Sequence, residues 1–225
     1  MNRFVTACAA ALLLMACSAG ADETSRALPQ PKFDPPSMAS SETAVLAGGC
    51  FWGMQGVFQH VKGVKLVLAG YSGGSRTYDY ETVSTGTTGN AESVKIAFDP
   101  KVVSYGEILR IYFSVMDPTE LNYQGPDEGT QYRSEIFAAN PTQQKVATAY
   151  IAELTKAHAF SAPIVTAVGN FTGFYQAEAY HQNYLLDHPD QPYIAINDLP
   201  KIAKLKQLYP ALYVEKPVRV ARNML

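Results

Sequence analysis

Apolar positions along the chain fall into short blocks whose spacing switches between the two-residue period of strands and the 3.6-residue period of helices. TAVLAGG, residues 43–49, is a short apolar run stopped by glycines, which predicts a strand. CFWGMQGVFQHV follows at once and reads as the first turns of a helix, its two internal glycines marking close packing. GVKLVLAGYSGG predicts a strand ending in a Gly-rich turn, and SVKIAFDP alternates until Pro100 stops it. In SYGEILRIYFSVMDP, Ile108, Ile111, Tyr112 and Val115 share one helical face, with Ser104 placed to cap it. QYRSEIFAA reads as a strand, TQQKVATAYIAELTKAHAF as a helix capped by Thr142, and PIVTAV as a strand. Two helical patches follow, around AEAYHQNYLLDH and DLPKIAKLKQLY. Strands alternating with helices predict a two-layer α/β or α+β domain over residues 43–225, with no repeat and no second linker.

The N-terminal pattern is different. MNRFVTACAAALLLMACSAGA has one Arg, an apolar run and then small residues, the order of a secretory signal over residues 1–21. The run from Phe4 to Ala16 is short for a membrane span. Two endings compete. Leu14-Met15-Ala16-Cys17 resembles a bacterial lipobox, in which Cys17 would be lipidated; Ala19-Gly20-Ala21 suits an ordinary signal peptidase. Either implies export to the periplasm, with the membrane touched only through a lipid on Cys17. Residues 22–42, with LPQPKFDPPSMASSE, are Pro-, Ser- and charge-rich without periodicity and predict a flexible tether.

Composition narrows the partners. With 47% hydrophobic residues in 225, the chain can bury one sizeable core. A net charge of −2 offers no basic field for nucleic acid. Of three cysteines, Cys8 and Cys17 lie in the signal segment, so Cys50 is the one thiol left to the mature chain, and no internal disulfide can form there.

Cys50 sits where a strand meets a helix. Unpaired amides and the dipole at a helix start favour an anion, which predicts a lowered thiol pKa and a nucleophilic thiolate. Gly48 and Gly49 let the backbone turn tightly beside it. Phe51 and Trp52, the latter the sole tryptophan, either fill the core or wall an apolar site beside the sulfur.

These residues resemble the A-type peptide methionine sulfoxide reductases. The likeness runs from GCFWG through GYSGG, YETVSTGTTGNAESVKIAFDP, QGPDEGTQYRS and YHQNYL, in the family order, over roughly Thr43 to Leu208. It implies an α+β fold, a two-layer sandwich of ferredoxin-like or α-β roll type around a central mixed sheet. It implies that Cys50 is the nucleophile and Glu92 the acid. Tyr80 and Tyr132 would bond the substrate oxygen, Asp127 would join the polar network, and Phe51 and Trp52 would hold the substrate methyl group. The substrate would be the S epimer of methionine sulfoxide, free or in oxidised proteins, with no metal or organic cofactor.

Chemistry from below agrees. A sulfoxide oxygen leaves poorly until protonated, so reduction needs a proton donor and a soft nucleophile at one sulfur. A carboxylic acid near apolar rings has its pKa raised by desolvation and can hold that proton. Two phenols can stabilise charge developing on oxygen. Taken alone, Glu92 would read as a solvated loop carboxylate, the tyrosines as packing and Asp127 as a turn former after Pro126.

Two departures from the family stand out. No cysteine follows Cys50, so an external thiol must recycle its sulfenic acid, whether a thioredoxin-like or glutaredoxin-like protein or a small thiol. Asn90 stands where many members carry His. Rival readings are a Cys–His hydrolase using His60, His158, His181 or His188, and an exported peptide-binding module with GYSGG and TGTTGN as ligand loops. No hydrolase signature, paired metal-ligand spacing, GxGxxG or P-loop supports a rival. His181 reads as a hydrogen-bonded structural residue and His188 as a helix end.

Overall fold

A computed structural model describes residues 27–221 apart from 75, 77 and 78. The chain order is β1 (Glu42–Gly48), α1 (Phe51–Gln59), β2 (Val64–Ser72), α2 (Tyr80–Ser84), β3 (Ala91–Phe98) and α3 (Tyr105–Val115). A two-residue hairpin, β4 (Tyr123–Gln124) and β5 (Asp127–Glu128), precedes β6 (Ser134–Ala138), α4 (Pro141–Lys156), β7 (Ala167–Asn170) and β8 (Phe174–Gln176). Last come α5 (Tyr184–Asp187) and α6 (Leu199–Leu208).

The main sheet runs β7-β6-β1-β3-β2-β8. All pairings are antiparallel except β6 with β7, so the sheet is mixed. Within it β1-α1-β2 and β3-α3-β6 form two split βαβ units, and the four-strand order β6-β1-β3-β2 is that of the ferredoxin-like α+β sandwich. One face carries the principal core. Leu46, Val94 and Ile96 from the sheet meet Phe51, Val57 and Phe58 of α1 and Ile108, Ile111 and Tyr112 of α3. The other face holds a small cluster of Val45, Ala47, Ala91 and Phe137.

Local chemistry sets the ends of these elements. Ser104 caps α3, its Oγ accepting from Glu107 N at 3.2 Å, and the helix face read from the sequence is buried. The cap of α4 is Asn140, not Thr142: its side chain accepts from Gln143 N at 2.9 Å, because Pro141 takes the first helical position, where its missing N–H costs nothing. PIVTAV is only partly strand; β7 starts at Ala167, and Val165 N bonds Pro118 O at 2.8 Å instead. AEAYHQNYLLDH is a 3₁₀ turn at Ala179–His181 followed by the four-residue α5, and a π-helical turn, Ile194–Asp198, leads into α6.

The stretch predicted as a tether is also different where it is described. Residues 27–42 lie as a strap across α3 and α4. Leu28 is buried, its N bonded to Tyr209 Oη at 3.1 Å and its O accepting from Arg110 Nε at 2.6 Å. Tyr150 Oη donates to Pro29 O at 2.8 Å, Lys32 N bonds Glu153, and Lys145 Nζ lies 4.4 Å over the Phe33 ring. Asp34 accepts from Ser104 Oγ and from Gly106 N. Prolines that forbid a helix also hold the chain extended, and two apolar anchors between them suffice to seat it. Cys17 and the rest of the signal segment lie outside the described residues.

Candidate active site

Cys50 is the residue between β1 and α1, at the N-cap of the helix. Gly49, at φ +83°, makes the turn; a Cβ there would lie 2.6 Å from Gln124 Cγ, so position 49 requires glycine on both counts. Register brings Glu92 to the same place. Ala47 pairs with Ser93 across β1 and β3, and strand alternation puts Glu92 on the core face with Val94 and Ile96. A carboxyl thus occupies a position the core pattern reserves for an apolar residue. Its Oε2 accepts from Phe51 N at 2.9 Å.

Tyr80 opens α2, whose start is fixed by Asp79 accepting from Thr82 N at 2.8 Å. Tyr132 ends the 3₁₀ turn Thr130–Tyr132, and Asp127 lies on β5. Cys50, Phe51, Trp52, Tyr80, Glu92, Asp127 and Tyr132 all line one pocket of about 240 Å³, with Gln191 and Tyr193. Every site residue read from the domain's sequence converges there. Among the described residues, no histidine lines it.

Electrostatics divide the two reacting groups. Burial pushes the Glu92 carboxyl up to about 8, against the pull of the Phe51 amide and helped by Asp127 and Asp198. The Cys50 thiol moves the opposite way from the helix-start expectation: it is pushed well above its ordinary value. Burial is the largest cause, followed by the negative charges of Glu92 and Asp198; the Trp52 amide and Lys201 pull it down without prevailing. The first-turn amide is satisfied by the Glu92 carboxyl oxygen, and the sulfur rests as a thiol. Burial likewise raises Tyr80, Tyr132 and Asp127, so the phenols stay protonated donors.

A family model for peptide methionine sulfoxide reductase matches residues 42–211. The chain belongs to that family. A peptide methionine sulfoxide reductase MsrA 2 of Mesorhizobium japonicum is 59% identical over 189 residues, 83% of this chain and 97% of the relative. An MsrA of Polynucleobacter asymbioticus is 46% identical over 78% of this chain and 93% of its own length. Among solved structures, reduced Mxr1 of Saccharomyces cerevisiae superposes with a TM-score of 0.61 at 31% identity, covering 71% of this chain and 92% of Mxr1. The MsrA of Corynebacterium diphtheriae gives 0.60 at 30%, covering 73% and 84%. The chain is accordingly an oxidoreductase that reduces methionine sulfoxide to methionine.

Behind the walls of the reductase pocket lies a supporting layer that sequence reasoning missed. Trp52 Nε1 donates to His181 Nδ1 at 3.1 Å, which leaves the imidazole proton on Nε2. Burial lowers the His181 pKa, so the ring is neutral. The indole stacks on Tyr184 at 4.0 Å between centroids and meets Tyr193 edge-on at 6.2 Å. Tyr193 Oη donates to the Asp127 carboxylate and ties β5 to the C-terminal segment. Glu178 secures α2, accepting from Tyr80 N at 2.9 Å and Tyr71 Oη at 3.0 Å. The reading of His181 as a bonded structural residue points to this layer. Asn90 does not line the pocket; it braces the neighbouring turn, accepting from Gly74 N and donating to Arg76 O, both at 3.1 Å.

Proposed function

We propose that the chain reduces the S epimer of methionine sulfoxide, free or within proteins, through a sulfenic acid on Cys50 that external thiols recycle. The observation that carries this reading is the convergence of one thiol, one proton-holding carboxyl, two phenols and two aromatic walls on a single small pocket. Glu92 hands its proton to the sulfoxide oxygen while Tyr80 and Tyr132 donate hydrogen bonds to it. The Cys50 sulfur attacks the substrate sulfur while its proton passes to the Glu92 carboxylate and on to the oxygen. The S–O bond breaks with loss of water, and that water attacks the Cys50 sulfur, breaking the S–S bond to expel R₂S and returning a proton to Glu92. Net, R₂SO and Cys–SH give R₂S and Cys–SOH, the first rung of cysteine oxidation. Phe51 and Trp52 hold the methyl group and keep water from the reacting atoms.

Recycling then takes two thiols. One displaces water from Cys–SOH to form a mixed disulfide; the second releases Cys50 and leaves as RSSR. A thioredoxin-like or glutaredoxin-like protein or a small thiol fits this role, since no cysteine follows Cys50. The signal-like N-terminus supports work on oxidised exported proteins in the periplasm, with Cys17 as the lipid attachment point. The mass and N-terminal residue of the mature protein test that placement.

Intact mass after one equivalent of sulfoxide should rise by one oxygen atom on Cys50. Formation of an intramolecular disulfide would refute the recycling scheme. Cys50→Ser should abolish turnover of a methionine sulfoxide peptide; retained turnover removes Cys50 from the chemistry.

A further inference from the structure

A buried acid beside the nucleophile takes no part in the chemistry above. Asp198 ends the π-helical turn and is fully buried. Its Oδ1 accepts from Lys201 Nζ at 3.0 Å, and its Oδ2 has no partner among the described residues. The carboxylate is pressed against the first turn of α1: a Cβ built on Gly53 would lie 2.1 Å from Oδ1 and 3.1 Å from Lys201 Nζ. Glycine three residues after Cys50 therefore opens the space that the ion pair fills. Burying a carboxylate with one oxygen unbonded opposes folding. Burial raises the Asp198 carboxyl and Lys201 pulls it back down, so the charge there depends on the pair, and the pair lies against the first turn of α1, whose N-cap is Cys50.

We propose that Asp198 and Lys201 are positioning residues for the nucleophile, the carboxylate keeping the resting Cys50 as a thiol and the ammonium limiting how far it does so. The proposal rests on Cys50 being the nucleophile. The titratable groups that line the pocket with the sulfur are Glu92 from β3, Asp127 from β5, Tyr80 from α2, Tyr132 from the 3₁₀ turn and Tyr193 at the start of the π turn, and Asp198 at its other end lies against Gly53, three residues along α1 from Cys50. Among these groups and Lys201, the lysine alone is a cation. Seated against Gly53, Asp198 adds negative charge one helical turn from Cys50, and Lys201, 3.0 Å from its Oδ1, opposes it.

The benefit is protection. Peroxide attacks thiolates, and oxidation past sulfenic acid is irreversible for an ordinary cysteine. A second cysteine could trap the sulfenic acid as a disulfide, but the domain has none. Holding the sulfur protonated until a sulfoxide enters guards an unaccompanied thiol.

The test is the pH profile of Cys50 alkylation by iodoacetamide in the full-length protein, for wild type, Asp198→Asn and Lys201→Met. Asp198→Asn should lower the midpoint by about half a pH unit, giving about threefold faster alkylation near neutrality. It should also form sulfinic acid faster under hydrogen peroxide, read by mass. Lys201→Met should move the midpoint upward. A merely structural pair would change stability and leave the midpoints alone. Unmoved midpoints, or shifts of the same sign in both variants, overturn the proposal. Should Asp198→Asn fail to fold, Lys201→Met decides alone: Lys201 reaches the surface, and an unmoved midpoint then sinks the idea. Alkylation does not depend on turnover, so active Cys50→Ser protein would refute the nucleophile reading while these shifts stood.

Discussion

Helices α1 and α3 begin with the same device and put it to different uses. In each, a carboxylate from a distant segment accepts a first-turn amide: Glu92 takes Phe51 N at 2.9 Å, and Asp34 takes Gly106 N at 3.0 Å. At α3 the local sequence also supplies Ser104 as a cap, and Asp34 is half-buried under the strap. At α1 the N-cap is Cys50, which supplies no capping side chain, and Glu92 is sealed behind aromatic rings. The backbone demand is the same at both helix starts. Burial separates the outcomes. Asp34 anchors the helix start and its Ser104 cap, whereas burial makes Glu92 also hold a proton near neutrality.

Glu92→Gln breaks the comparison most severely. Gln can still accept from Phe51 N, so the helix start survives while the proton donor is lost. Sulfoxide reduction should fall by on the order of 10²–10⁴-fold. In the wild type the donor form of Glu92 declines as pH rises through about 8, so the rate should fall over that interval. The variant should lose this alkaline limb. Stability has a definite sign as well. The folded chain keeps a proton on Glu92 between about 4.5 and 8 that the unfolded chain has released. Stability due to this group therefore decreases as pH rises across that window and is level above it. Above pH 8 the Gln variant should be more stable than wild type by on the order of 2–4 kcal/mol. Urea unfolding of both proteins at pH 6 and pH 9 reads the difference; parallel behaviour at the two pH values would contradict a desolvated Glu92.

Replacing the phenols tests whether the sealed site works as more than a proton store. Tyr80→Phe and Tyr132→Phe each remove one donor and leave the ring. Each should lower kcat by about 10- to 100-fold with KM little changed, and the double variant should lose more. A change confined to KM would make these tyrosines walls only.

The two helix starts also differ in how far they could be read in advance. Ser104 and the apolar face of α3 stand within one local window, and so does the Cys50-Phe51-Trp52 run. Motif order points to Glu92 and Tyr132, and strand register explains why Glu92 reaches the pocket that Cys50 lines. Tyr193, Gln191 and Asp198 gave no such signal. They lie on a π turn and its approach, which have no clean period, and only the wrapping of the C-terminal segment over α1 brings them in. The charge state of Cys50 was misjudged for a related reason. A helix start is local and visible, whereas burial and the Asp198 carboxylate depend on contacts across well over a hundred residues. Asn140 shows a smaller lapse: Pro141 marks the first helical position and so names its predecessor as the cap, ahead of Thr142. The strap was obscured by its own composition, which is that of a linker but includes Leu28 and Phe33 as anchors.

Asp34→Ala gives the mildest effect and sharpens the contrast from the other side. It removes the acceptor for Gly106 N and the partner of Ser104 Oγ, but Ser104 still caps Glu107 N. Folding stability should drop by about 1 kcal/mol, in the range of a lost helix-capping bond, and water can take over part of the lost bonding at this half-buried site. Asp34 bonds Ser104 and Gly106, and none of the three is among the described residues that line the active-site pocket, so kcat/KM for a sulfoxide peptide should stay at the wild-type value below the melting transition. Calorimetry beside a turnover assay separates the two quantities. A loss of rate at full folding would mean that the strap reaches the reacting groups through α3, and that the two helix starts are coupled instead of independent uses of one device.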